Sequence, residues 1–267
     1  MSTISLFSML ILLVLEVHSI PSYFPNIHYD LSSVVHRITG RSDGRVDRSV
    51  EMISWEPRAV IYHNFLSKDE CEHVINIAKP HMKKSTVIDK IKGEIEDKWF
   101  RTGYITNLER GQDETIGAIE KRIADLTFLP VEYGEGFEVL RYEVGQKFVI
   151  HHDYPIGEHF TKDGGHTVAT IVIYLSDVEE GGEEVFPLAK GNISALACWN
   201  GKYTTHDGKG GGGLSVKPKM GDALLFWNIK PDGTMDLSSL YGGCPVIKGS
   251  KWSATKGIHF KEFKSWD

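Results

Sequence analysis

His151-His152-Asp153 is the stretch of this sequence whose residue types and spacing best suit chemistry. It follows an apolar run, Phe148-Val149-Ile150. In an extended strand residues i and i+2 point the same way. His151 and Asp153 are therefore expected to bring an imidazole and a carboxylate to one point, with His152 facing away. Such a pair plus one distant histidine forms a facial 2-His-1-carboxylate site, which holds Fe(II) and leaves coordination positions open. The plainer alternative is a strand that ends at a solvated turn. Twelve histidines among 267 residues keep a metal in view.

These residues need elements to position them. Ser67-Lys68-Asp69-Glu70 has the form of a capping box, in which the serine hydroxyl and the glutamate each satisfy an orphan backbone N–H. Val74, Ile75, Ile77 and Ala78 follow, and Pro80 marks the helix end. A second helix is expected over 113–128, with Ile116, Ile119, Ile123 and Leu126 on one face and Pro130 closing it. Short β-like runs come next, at 137–144, 147–153, 167–175, 214–217, 223–228 and 252–260. The run from Val168 to Leu175 is nearly all apolar, as in a strand covered on both faces. Helices first and strands after predict an α+β fold, its strands closed into a barrel or sandwich. Lys209 to Gly213 reads as a flexible loop.

Composition narrows the function classes. The chain carries 30 Lys and Arg against 36 Asp and Glu, so it lacks the basic excess that nucleic-acid binding needs. Its hydrophobic share of 41% suits a packed core. Cys71, Cys198 and Cys244 are too few for a disulfide scaffold, and their spacing assigns no bridge. Residues 4–15 form an apolar run too short to span a bilayer, followed by Glu16 and a Val17-His18-Ser19 cleavage-like stretch. Residues 1–20 are read as a signal peptide or signal anchor. Residues 21–50 read as a polar stem, and 51–267 as the folded domain. Asn192-Ile193-Ser194 is a glycosylation sequon.

The context of the His-x-Asp triplet is informative. Tyr142-Glu143-x-Gly145-Gln146 precedes it, and Gly181-Gly182-Glu183-x-Val185-Phe186-Pro187 follows it. Two more blocks come later, Lys217-Pro218-Lys219-x-Gly221-Asp222-Ala223-Leu224-Leu225-Phe226 and Gly243-Cys244-Pro245-Val246-x-x-Gly249-x-Lys251-Trp252. From Ile53 to Phe260 the chain resembles the prolyl 4-hydroxylases, Fe(II)- and 2-oxoglutarate-dependent dioxygenases, and most of all the single-chain plant type of the secretory pathway. The resemblance implies a double-stranded β-helix, or jelly-roll, buttressed by N-terminal helices. It implies His151 and Asp153 as iron ligands, and Lys251 as the cation for the distal carboxylate of 2-oxoglutarate, a role that suits a compact ammonium. It also implies Tyr142 beside that carboxylate, and Arg101, Glu135 and His259 near the peptide channel. The activity it implies is conversion of peptidyl proline in proline-rich secretory polypeptides to 4-hydroxyproline, with ascorbate keeping the iron reduced. The implied setting is the endoplasmic reticulum or Golgi lumen, either as a type II anchored protein or soluble after signal cleavage.

The sequence departs from the family pattern at the same site. The block that should carry the second iron-binding histidine reads Leu240-Tyr241-Gly242-Gly243-Cys244, with Tyr241 at the ligand position. A phenol ligates iron only as phenolate, and its ordinary pKa is near 10. Tyr241 is therefore expected to weaken Fe(II) binding. Glu184 replaces the family's threonine and puts a carboxylate where the co-substrate carboxylate belongs, from which it could pair with Lys251. Phe148, Thr167 and Gly257 replace a tyrosine, an arginine and a tryptophan. Two readings follow. One is a prolyl 4-hydroxylase that uses iron held by His151 and Asp153, with Tyr241 or His259 as third ligand. The other is a non-catalytic relative that keeps the jelly-roll and a proline-rich peptide groove, or partners an active homologous prolyl 4-hydroxylase.

Overall fold

The computed structural model describes residues 49–85, 87–88, 95–96, 101–154, 165–190, 198 and 213–264. The apolar N-terminal segment, nearly all of the stem, the Asn192 sequon and the glycine run at 209–212 lie outside the described residues.

Two helices precede most of the strands. Helix α1 spans Lys68–Ala78 and α2 spans Glu114–Thr127. The strands are β1 (Val50–Trp55), β2 (Arg58–Tyr62), β3 (Lys83–Lys84), β4 (Val87–Ile88), β5 (Ile95–Glu96), β6 (Tyr104–Leu108), β7 (Phe137–Tyr142) and β8 (Phe148–His151). They continue with β9 (Thr167–Tyr174), β10 (Glu180–Gly181), β11 (Glu184–Phe186), β12 (Leu214–Val216), β13 (Ala223–Trp227), β14 (Tyr241–Gly243), β15 (Val246–Lys248) and β16 (Lys251–His259). A large sheet runs β1-β2-β13-β9-β16-β7-β6-β3, and a smaller one runs β12-β11-β14-β8. Val172, Tyr174, Leu224 and Phe226 of the large sheet share one buried cluster with Phe186, Leu214, Val216 and Tyr241 of the small sheet. The two antiparallel sheets thus face each other across a core, in the α+β arrangement that the sequence pattern predicts and with the jelly-roll core that the resemblance implies.

Side-chain parity explains how one strand serves two cores. All eight residues of β9 are buried. Ala169, Ile171 and Ile173 join Ile116, Ile119 and Ile123 of α2 in the helix-side core. Val172 and Tyr174 face the space between the sheets. Each fully buried large aliphatic side chain contributes about 1.5–3 kcal/mol. The same alternation governs β16. Trp252, Ala254 and Ile258 pack on the helix side, while Lys251, Ser253, Thr255 and Gly257 line an inner cavity.

The helix starts follow the local chemistry. The Ser67 hydroxyl accepts from the Glu70 N–H at 3.2 Å, and the Glu70 carboxylate accepts from the Ser67 N–H at 2.8 Å. Asp113 caps α2 by accepting from the Ile116 N–H at 2.8 Å. The predicted strand 147–153 is shorter, because the pairing of β8 with β14 ends at the His151–Tyr241 position. Asp153 therefore lies in the bend beyond the strand. The structure adds a bridge that the sequence does not assign, Cys198–Cys244, with a Cα–Cα distance of 5.6 Å. Closing its 46-residue separation removes chain entropy worth about 4 kcal/mol. Cys71 is buried and free.

Two outcomes test this frame. Ser67→Ala should lower stability by about 1 kcal/mol, read as a drop of about 2–4 °C in thermal midpoint. His63 lies 2.7 Å from the Asp222 carboxylate and 3.1 Å from that of Glu51. Burial opposes its charge, but these two carboxylates outweigh burial and raise its pKa above the ordinary 6.5. Its contribution is fully present below the unfolded value and is lost as pH rises through the higher folded one. Wild type should therefore lose stability above pH 6.5 more steeply than His63→Gln in a series of melts at rising pH.

Candidate functional site

The site is a cavity of about 550 Å³ between the two sheets. Its wall includes His151, Asp153 and Tyr241 at one end, and Lys251, Glu184 and Tyr142 along the floor. Arg101, Glu135 and Glu138 line it as well.

Register brings the metal-site residues together. His151 of β8 is the partner of Tyr241 on β14. Close approach of these strands requires Gly242, since a Cβ there would stand 2.9 Å from the Ile150 backbone. The rings of Phe148 and His151 stack with centroids 4.0 Å apart, and the His151 and Tyr241 rings lie 4.7 Å apart. Tyr241 is embedded against Phe226 and Phe186, with its hydroxyl as the polar tip.

The polar tip is committed to Asp153. The Tyr241 hydroxyl donates to Asp153 Oδ2 at 3.0 Å. The Thr170 hydroxyl donates to the same oxygen at 2.7 Å, and Asn228 Nδ2 donates to Thr170 at 3.0 Å. The other carboxylate oxygen, Oδ1, lies 3.2 Å from His151 Nε2. His151 Nδ1 donates to the Val149 carbonyl at 2.9 Å. Nε2 is thus the nitrogen that faces Asp153, donating when the ring is protonated and presenting a lone pair when it is neutral. Burial alone would raise the Asp153 pKa, but His151, Thr170 and Tyr241 together hold it below the usual carboxylate value. Burial, with the charges of Asp153 and Glu184, pushes the Tyr241 phenol well above 10.

This donor set does not fit an Fe(II) centre. His151 and Asp153 supply two ligands of the right kind. The third position carries a phenol that burial and two carboxylates keep protonated, and its proton is bonded to the ligand carboxylate itself. Among the described residues, no group of three His, Cys, Asp or Glu is placed to hold a metal ion. His259 does not supply the missing ligand. Its Nε2 lies 2.7 Å from a Glu135 carboxylate oxygen, its Nδ1 lies 3.1 Å from the Gly165 carbonyl, and its ring stacks on Phe263. It stands behind Glu135 and Phe263, which line the cavity, and so lies beside the channel and not at its surface.

The floor also has its partners in place. Lys251 is buried, and its ammonium donates to the Glu184 carboxylate. The rings of Tyr142 and Tyr174 flank that ammonium, with centroids 5.8 and 5.9 Å away. Arg101 pairs with Glu138 at 2.8 Å and lies over the Phe148 ring at 5.2 Å. The Glu135 carboxylate crowds Gly257, where an added Cβ would stand 2.9 Å from it. Sequence reasoning missed Glu138 and Thr170. The two-residue period of β9 was the available signal for Thr170, which shares the inward face with Val172 and Tyr174.

The comparisons with known proteins agree with this architecture. Residues 137–259 match the family model of the 2OG-Fe(II) oxygenase superfamily. The chain is 55% identical over 265 residues to a probable prolyl 4-hydroxylase 10 of Arabidopsis thaliana, covering 97% of this chain and 90% of that protein. It is 56% identical over 238 residues to prolyl 4-hydroxylase 5 of the same plant, covering 88% and 80%. The chain belongs to the prolyl 4-hydroxylase family. The viral collagen prolyl hydroxylase of Paramecium bursaria Chlorella virus-1, solved with 2-oxoglutarate, shares the fold. Its TM-score is 0.54 at 24% identity, covering 75% of this chain and 94% of that one. By family this prolyl 4-hydroxylase is a 2-oxoglutarate–Fe(II) dioxygenase, and its scaffold is retained. Of the positions read as departures, Phe148, Tyr241 and Glu184 lie around His151 and Lys251, while Gly257 lies against Glu135 and Thr167 pairs with His259.

One titration tests the misfit. In anaerobic calorimetry, wild type should bind Fe(II) at least ten-fold more weakly than Tyr241→His. Equal affinity would show that the phenol is no obstacle.

Proposed function

We propose that this prolyl 4-hydroxylase acts as a binder of proline-rich secretory polypeptides in which turnover is lost or severely reduced. The observation that carries this reading is the Tyr241 hydrogen bond to Asp153, which closes the position where the third metal ligand would stand. The cavity itself supports polypeptide binding. It keeps aromatic walls from Tyr142, Phe148 and Phe263, beside the Arg101–Glu138 pair. A proline-rich segment is already extended and stiff, so it gives up little entropy on docking against such rings. An active homologous prolyl 4-hydroxylase is the partner that would complete the chemistry.

A second reading keeps hydroxylation of peptidyl proline to 4-hydroxyproline, dependent on Fe(II), 2-oxoglutarate and ascorbate. The adjacency of His151 and Asp153 and the presence of Lys251 and Tyr142 in one cavity favour it. The chain's own groups would then orient the peptide and hold 2-oxoglutarate's carboxylate, but Glu184 stands in that second role.

The lumen of the endoplasmic reticulum or Golgi is the proposed setting, with residues 1–20 as signal peptide or type II anchor. The Cys198–Cys244 bridge supports an oxidising compartment, and a glycan on Asn192 belongs to the same proposal.

Fluorescence anisotropy and mass spectrometry on one labelled proline-rich peptide test the proposal together. Binding without metal, at least ten-fold weaker for Arg101→Ala, is expected, with no hydroxyproline after incubation with Fe(II), 2-oxoglutarate and ascorbate. Hydroxyproline at the rate of an active relative would favour the second reading. Absence of peptide binding would remove the first.

A further inference from the structure

Lys251 is a cation sealed in the wall of a cavity, with 2% of its surface exposed. A buried ammonium needs an anion, because burial strips its hydration. The nearby tyrosines offer ring faces but no charge, and burial holds the hydroxyls of Tyr142 and Tyr174 protonated, their pKa values well above 10. Three other carboxylates of the cavity are engaged elsewhere, Glu135 by His259. Asp153 meets His151, Thr170 and Tyr241, and Glu138 meets Arg101. Glu184 pairs across the strands with Gly243, and its carboxylate meets the Lys251 ammonium there. A Cβ on Gly243 would stand at ordinary contact distance, 3.5 Å from Glu184 Oε2 and 3.7 Å from Lys251 Nζ, which places both groups beside this position. The Tyr174 hydroxyl is buried with no hydrogen-bond partner among the described residues. It is a spare donor in the same inter-sheet core.

We propose that Glu184 is a tethered occupant of the carboxylate subsite at Lys251, so that this chain carries its own anion there and excludes free 2-oxoglutarate and other small dicarboxylates. A carboxylate that belongs to the chain gives up no translational freedom on pairing with Lys251, a cost that a free dicarboxylate must meet. The subsite is therefore a latent carboxylate site, and removing Glu184 opens it. This inference rests on the Lys251–Glu184 pair and not on Tyr241 or on peptide binding.

The test is chemical rescue. Wild type, Glu184→Ala and the apolar pair Glu184→Met/Lys251→Met are melted in EDTA at fixed ionic strength, with chloride, acetate, succinate or 2-oxoglutarate. EDTA removes any contribution from metal. The wild-type midpoint should stay fixed in all four. Glu184→Ala leaves an unpaired buried charge and should melt on the order of 10 °C lower. Succinate and 2-oxoglutarate should restore most of that drop, acetate part of it, and chloride little. The apolar pair should respond to none of them. Glu184→Thr provides the second variant if Glu184→Ala does not fold. Its calorimetric affinity for 2-oxoglutarate should exceed that of wild type by at least ten-fold. Wild type binding 2-oxoglutarate as tightly as the variants, or variants that gain no carboxylate binding, would overturn the inference. Either result leaves the anisotropy measurement on the peptide unaffected, so the two claims fail separately.

Discussion

A lysine ammonium inside a β-sandwich must face a carboxylate, and the rest of this site is arranged around where that carboxylate comes from. In this chain it comes from Glu184, on the facing sheet. The pair sits on the floor of the cavity, on β11 and at the start of β16. A buried pair of this kind adds little net stability, since desolvation offsets most of the attraction. Its consequence is specificity. Once the cation has an internal partner, the cavity no longer needs an anionic ligand to be well formed.

The other end of the cavity follows the same logic with a different group. Asp153 is a buried carboxylate whose lone pairs need donors. Thr170 and the Tyr241 phenol supply them, and His151 faces the remaining oxygen. A metal ion would have to displace that set and take a proton from a phenol that burial has made a weaker acid. Both polar ends of the cavity are thus satisfied by protein groups alone. The features proposed to meet a peptide, Arg101 with Glu138 and the aromatic walls, line the same cavity.

Much of the frame was legible in the sequence because local chemistry dictates it. The capping box at Ser67, the isoleucine stripe of α2 and the doubly covered strand β9 follow from spacing and periodicity. The convergence of His151 and Asp153 was legible from strand parity, although Asp153 lies beyond the strand end. The pairing of Glu184 with Lys251 was expected once a carboxylate appeared beside a required cation. What the sequence did not reveal depends on long-range register. Thr170 reaches Asp153, and Asn228 reaches Thr170, only because β9 and β13 pair at the positions they do. His259 sits behind Glu135, and the Cys198–Cys244 bridge closes across 46 positions. No local pattern carries those distances.

The central claim is that Tyr241 and Glu184 together separate this chain from hydroxylation. The most direct measurement is hydroxyproline formed by the Tyr241→His/Glu184→Thr double variant beside wild type, with Fe(II), 2-oxoglutarate, ascorbate and a proline-rich peptide, counted by mass spectrometry. The account predicts hydroxyproline from the double variant and none above background from wild type. A double variant that binds both Fe(II) and 2-oxoglutarate yet turns over no faster than wild type would contradict it.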